Sequence, residues 1–165
     1  MSYVNGVATL LNEKLLFSGK VIKGEAECLD IEIKGTYVIV KTDYKDFTEG
    51  VINTIYKSGQ QISICDYVIV SDTVILVCEL KSNNEGKMKT QLKNTGKFVQ
   101  YLLAMVKEHG AINANIPPIK YVFFGKMYRE GKRNVIANKL SRIPWQESEL
   151  FKLSCNSIYH LKQFN

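Results

Sequence analysis

The chain has 165 residues, 45% of them hydrophobic and 23% charged, and a net charge of +6. That length suits one domain with a sizeable core, and the composition excludes long disorder and repeat arrays. The longest clear apolar run, Val74 to Cys78, is too short to cross a bilayer, so no membrane partner is expected.

Residues 7 to 17, with Val7, Leu10, Leu11, Leu15 and Leu16 as the apolar set, suit a short amphipathic helix ended near Gly19. Residues 27 to 42 read as a β-hairpin. Leu29, Ile31 and Ile33 alternate with polar residues, and Gly35 turns the chain into Tyr37-Val38-Ile39-Val40. A short helix is expected around 51 to 56. Residues 61 to 70 form a strand, Ser71-Asp72 a turn, and Thr73 to Lys81 a second strand. The loop over 82 to 86 leads to the clearest helix, about 87 to 108. Its apolar positions Met88, Leu92, Val99, Leu102, Leu103 and Val106 step by three and four, and Gly110 lies beyond its end.

Pro117-Pro118 precede a strand from Ile119 to Phe124. Val135-Ile136 carry a weaker strand signal. Pro144-Trp145 mark a break, with Trp145 as a core anchor, and a last apolar run passes through Leu150, Phe151, Leu153, Ile158 and Leu161. The sum is one α/β or α+β domain over 1–165, a mixed sheet flanked by helices. The four cysteines (28, 65, 78 and 155) show no CxxC spacing and are expected as reduced thiols, not a zinc site. No basic n-region opens the chain, so a secretory signal is not expected and the cytoplasm is. Nineteen lysines against three arginines, with 12 asparagines, suggest an AT-rich genome, bacterial or phage.

The strand TVILVCELK is apolar on both faces for most of its length, which suits a central position in the sheet. Glu79 and Lys81 near its end are two apart, so they share a face about 7 Å apart along the backbone. Pairing about the Ser71-Asp72 turn brings Asp66 near residues 77 to 79. Two carboxylates brought together repel, and each costs free energy when desolvated. A divalent cation removes both problems, and Mg²⁺ needs only one or two carboxylates beside its waters. A lysine beside such an ion can orient or deprotonate the attacking water.

The arrangement of Asp66, thirteen residues, then Glu79-Leu80-Lys81 resembles the PD-(D/E)xK nuclease superfamily, whose restriction-endonuclease-like core runs helix, three strands, helix, strand. The resemblance covers about residues 60 to 125 well and 7 to 45 loosely. It implies that Asp66 and Glu79 bind Mg²⁺ (Mn²⁺ can substitute), that the Leu80 carbonyl adds a ligand, and that Lys81 activates water. It also implies a role for Gln91 on the following helix, although Thr95 stands where the family's QxxxY motif has tyrosine. Cys65 replaces the proline before the aspartate. An acidic residue on the first helix often completes such a site. Glu13 is the best-placed candidate, with Glu25, Glu27 and Glu49 as alternatives.

The charge is unevenly spread. Residues 1–119 carry 13 basic and 13 acidic side chains, whereas 120–142 carry seven basic residues and Glu130 alone. A local basic patch is the footprint of a polyanion partner, or else a solvated face. Lys126, Arg129, Lys132 and Arg133 in that segment, with Lys89 and Lys93 on the long helix, are the candidate nucleic-acid contacts; Lys97 extends the helix series. The expected activity is Mg²⁺-dependent hydrolysis of DNA or RNA phosphodiester bonds. The alternatives are a non-catalytic nucleic-acid-binding module or a phage or bacterial inhibitor protein on the same fold. A chain this small leaves little room for its own specificity domain, which makes a homodimer or a protein partner an open alternative to a monomer.

Overall fold

A computed structural model describes residues 1–19, 21–22, 30–44, 62–80, 85–125, 140–145 and 148–165. In chain order the elements are α1 (Tyr3–Leu10), a 3-10 turn (Glu13–Leu15), β1 (Leu16–Phe17), β2 (Val21–Ile22), β3 (Ile31–Lys34) and β4 (Val38–Lys41). They continue with β5 (Tyr67–Val70), β6 (Ile75–Leu80), α2 (Glu85–His109), β7 (Ile119–Gly125), β8 (Ser141–Trp145), β9 (Ser148–Ser154), β10 (Ser157–His160) and a 3-10 turn (Leu161–Phe164). The class is mixed α+β.

One sheet has seven strands in the order β1-β4-β5-β6-β7-β9-β8, and a second has three in the order β10-β3-β2. β4, β5 and β6 run antiparallel in succession, and β7 runs parallel to β6 after the α2 crossover. Alternation along the central strands sends side chains to two cores. Ile69, Leu76, Cys78, Val122, Phe124 and Phe151 pack with Ile31, Ile33 and Tyr159 of the small sheet. Val68, Val70, Ile75 and Val77 pack on the other side with Val7 of α1 and with Met88, Leu92, Val99 and Leu103 of α2. The large sheet is therefore the middle layer of three. All six residues of β6 are buried, as expected of a strand covered on both faces.

Several expectations are corrected. The first helix starts at Tyr3 rather than residue 7, because Ser2 caps it by accepting the Asn5 N–H. Asn12 then caps a separate 3-10 turn, and Leu16–Phe17 pair as a strand with β4. Residues 31–41 are not a hairpin. β3 pairs parallel with β10 and antiparallel with β2 in the small sheet, while β4 joins the large one. Gly35, at φ +142 and packed on Leu161, lets the chain step between layers. Pro144-Trp145 do not break the chain; they end β8, an edge strand, where proline forfeits no ladder bond. Trp145 packs edge-on against Tyr121 with ring centroids 4.6 Å apart.

The strand expected over 61–70 is shorter, Tyr67–Val70. Cys65 and Cys78 are free and buried as expected, but Cys155 is disulfide-bonded, against the reduced-thiol reading. No described helix is long and apolar enough to cross a membrane. The expected helix at 51–56, the strand signal at 135–136, Cys28, Glu25, Glu27 and Glu49 lie outside the described residues.

Candidate metal site at the end of the central strands

Strand register builds the site. Tyr67 pairs with Cys78, so one step further along the two antiparallel strands Asp66 stands opposite Glu79. The Thr42 N–H donates to the Asp66 carbonyl at 3.0 Å, which turns that backbone toward β4 and away from β6. Asp66 and Glu79 are thus a non-hydrogen-bonded pair, the kind with Cα atoms about 4.5 Å apart and side chains closest. Glu79 is fully buried, while Asp66 is half-buried. The Asp66 Oδ2 accepts the Leu80 N–H at 2.8 Å.

The electrostatics agree with this convergence. Burial raises the Cys65 thiol well above its ordinary range, and the Glu79 charge adds to that, with a smaller part from Asp66. Burial and then Asp66 raise the Cys78 thiol as well. Both carboxylates therefore act at short range on one buried neighbourhood.

α2 holds the segment that delivers Asp66. Gln91 Nε2 donates to the Ile64 carbonyl at 3.1 Å, and Asn94 Nδ2 to the Ser63 carbonyl at 3.1 Å. The Cys65 N–H donates to Thr95 Oγ1 at 2.7 Å, and that hydroxyl donates to the Gln91 carbonyl at 2.9 Å. Thr42 Oγ1 donates to the Cys65 carbonyl. Residues 63 to 65 leave the regular ladder, and these side chains replace the partners the ladder would supply. Gln91 is thus a positioning residue. Asn94 and Thr95 were missed from sequence. Thr95 enters the sequence reading only as a departure from QxxxY; its signal is a polar residue four after Gln91 on the apolar face of the helix, where both are buried, and nothing local marks Asn94.

Another residue missed from sequence is Lys152. Glu79 pairs with Phe123, and Phe123 with Lys152, so all three lie in one row across the sheet. Leu150, two before Lys152, belongs to the helix-side core, so alternation puts Lys152 on that side too. Two strand spacings, about 10 Å, separate its backbone from that of Glu79. No local motif marks this lysine.

Glu13 is exposed and lies on the 3-10 turn before β1, not on a helix. It sits at the same end of the sheet, two strands away from β5. Lys89 and Lys93 are exposed on α2. Lys81, Lys126, Arg129, Lys132 and Arg133 lie outside the described residues. β7 ends at Gly125, one residue beyond the partner of Leu80, and β8 starts at Ser141, the partner of Lys152. Gly125 and Ser141 thus lie at the Asp66–Glu79 end of the sheet, whereas Lys120, opposite Leu76, lies toward the other end. Within the basic segment, Lys120 and Arg142 are both ion-paired to Glu149.

Among the described residues, no group of three or more His, Cys, Asp or Glu side chains is arranged to hold a metal ion. The donor set of Asp66, Glu79 and the Leu80 carbonyl is all hard oxygen. It fits Mg²⁺, which accepts few protein ligands and keeps its waters, better than Zn²⁺, which favours nitrogen and sulfur. Compared with known proteins, the chain matches no family model, no curated protein and no solved structure.

Proposed function

We propose that the chain is a metal-dependent nuclease that hydrolyses DNA or RNA phosphodiester bonds. The observation that carries the reading is the Asp66 carboxylate, one residue beyond the β5–β6 ladder, accepting the Leu80 N–H at 2.8 Å and so standing beside Glu79 and Leu80-Lys81. The order of elements supports it: three successive antiparallel strands, β4, β5 and β6, then α2, then β7 parallel to β6. That is the core the resemblance to PD-(D/E)xK nucleases implies, and the restriction-endonuclease-like form of the fold is part of the proposal.

In this reading Asp66, Glu79 and the Leu80 carbonyl hold Mg²⁺. When bound, the ion polarises the phosphodiester and lowers the pKa of a bound water. Lys81 orients or deprotonates the attacking water and offsets charge on the phosphate oxygens. Gln91, Asn94 and Thr95 keep Asp66 in register with Glu79. The burial of Glu79 excludes bulk water, which strengthens every charge interaction there.

The test uses supercoiled plasmid, single-stranded DNA and RNA, each with Mg²⁺, Mn²⁺ or EDTA. The wild type is expected to cut at least one substrate with metal and none with EDTA. Glu79→Gln and Lys81→Ala are each expected to lower the rate at least 100-fold while leaving oligonucleotide affinity within about threefold. A wild type that cuts nothing with either metal overturns the reading.

A further inference from the structure

A groove of about 1070 Å³ runs between the outer flank of α2 and the face of β7 and β9. Lys93, Lys97 and Gln100 form its helix wall, Tyr121 lies in its floor, and Lys120 and Glu149 form part of the opposite side. Lys93 and Lys97 are exposed and one turn apart. Glu149 does not cancel them, because both Lys120 and Arg142 are paired to it. The groove is therefore cationic overall, with three lysines against one carboxylate.

Its position relative to Glu79 follows from the register. The groove includes Ile119 and Ser148 at one end of β7 and β9, and Glu79 pairs with Phe123, four residues along. That is about 13 Å at the rise of a parallel strand. α2 runs back alongside β6, and Lys97, Lys93 and Lys89 step along it in the same direction, covering about 12 Å at the helical rise. Gly96 lets the helix seat on the sheet here. A Cβ at that position would lie 2.3 Å from Tyr121 Oη. The lysine row and the strand edge thus run side by side toward the carboxylates.

We propose that this groove holds one strand of nucleic acid by its phosphates and leads it to Asp66 and Glu79. The ligand class rests on the nuclease reading. The preference for a single strand rests on the groove itself. Its volume, just above the roughly 300–1000 Å³ that hold one small ligand, has room for a few nucleotides of one strand. The half-buried Trp145, edge-on to Tyr121 beside the groove, offers a ring for a base.

Binding is measured by fluorescence anisotropy in EDTA, so that cleavage does not interfere. The probes are a labelled oligodeoxythymidine, a labelled oligouridine and a labelled DNA duplex. The double variant K93E/K97E is expected to bind single strands at least tenfold more weakly than wild type. The slope of log affinity against log salt is expected to fall by about 1.4, two phosphate contacts on a single strand. Lys162→Glu, exposed on the far layer, is the charge control and is expected to change affinity less than twofold. Equal losses in the control and the double variant, or tighter binding of the duplex, overturn the proposal. The two readings separate cleanly. If the wild type cuts nucleic acid but K93E/K97E binds as wild type does, the track is wrong and the nuclease reading stands. If the track lysines carry binding but nothing is cut, the nuclease reading falls and the track stands.

Discussion

The Asp66 carboxylate accepts the Leu80 N–H at 2.8 Å, which ties the chain entering β5 to the strand that bears Glu79. The β5–β6 ladder ends at Tyr67 and Cys78. A continued ladder would pair the Leu80 N–H with Cys65. Cys65 instead gives its N–H to Thr95, and its carbonyl accepts from Thr42. The Asp66 side chain takes the place of the missing strand. One carboxylate thus serves both the sheet and, in the nuclease reading, the metal.

This double duty can be separated by substitution. Asp66→Asn keeps an oxygen acceptor for Leu80 but removes the charge. Asp66→Ala removes both. In urea denaturation Asp66→Ala is expected to cost about 1.5–3 kcal/mol, the range for a hydrogen bond to a charged group. Asp66→Asn should cost less than half of that. In the nuclease reading, both should abolish cleavage. If Asp66→Asn unfolds as early as Asp66→Ala, the charge and not the acceptor holds the strands together.

The buried Thr95 hydroxyl is the partner of the Cys65 N–H. Thr95→Val keeps the shape and leaves that N–H unpaired in the interior. The expected loss is about 1–3 kcal/mol, the desolvation penalty of an orphaned donor. Thr95→Ser, which retains the oxygen, should recover most of it. Because Cys65 precedes Asp66, Thr95→Val should also weaken Mn²⁺ binding in calorimetry while Thr95→Ser does not. Equal Mn²⁺ affinity in the two variants would show that α2 stabilises this segment without positioning Asp66.

How much was legible in the sequence depended on how local each signal was. The apolar run of β6 and the three-and-four spacing of α2 are written within a few residues, and both elements appear close to their expected bounds. The turn expected at Ser71-Asp72 brought Asp66 only near residues 77 to 79; the structure centres it on Asp72-Thr73, with Val70 opposite Ile75, and that shift in register is what sets Asp66 across from Glu79. The Ile31 and Ile33 alternation correctly marked a strand but not its partner. That partner is β10, with Ile31 opposite Ser157, far along the chain. Lys152 was invisible for the same reason. It joins the Glu79 row only through two parallel pairings that no local pattern encodes. Pro144 misled because its cost depends on whether a strand lies at an edge, which is a property of the whole sheet.

Glu149 should set part of the acid stability. Its hydrogen bond from Lys120 holds its carboxyl below the ordinary glutamate value of 4.5, with the Lys120 and Arg142 charges acting in the same direction. A lowered folded value means the unfolded chain takes up the proton first. The stabilisation is therefore fully present above pH 4.5 and is lost as the pH falls through the lowered value. Glu149→Gln should flatten this acid limb in thermal melts taken between pH 6 and pH 3, with little change at neutral pH beyond loss of the pair. Lys120→Met should flatten it too. An acid limb unchanged in both variants would assign it to other carboxylates.

Gly96 sets how closely α2 approaches the sheet. A Cβ there would meet Tyr121 Oη at 2.3 Å and the ring carbons Cε1 and Cζ at 2.9 and 3.0 Å. Helix propensity alone favours alanine over glycine by about 1 kcal/mol. Overpacking costs typically 1–3 kcal/mol and should win, because Tyr121 is itself buried and pinned edge-on by Trp145. Gly96→Ala is therefore expected to lower stability by about 1–2 kcal/mol in urea denaturation. Adding Tyr121→Phe removes the nearest atom but not the ring carbons, so the double variant should recover only part of the loss. If the helix must tilt to relieve the contact, Lys93 and Lys97 shift relative to β7, and single-strand affinity should fall in Gly96→Ala and rise again in the double variant. A Gly96→Ala protein as stable as wild type would mean that propensity outweighs the contact and that the helix moves away without cost.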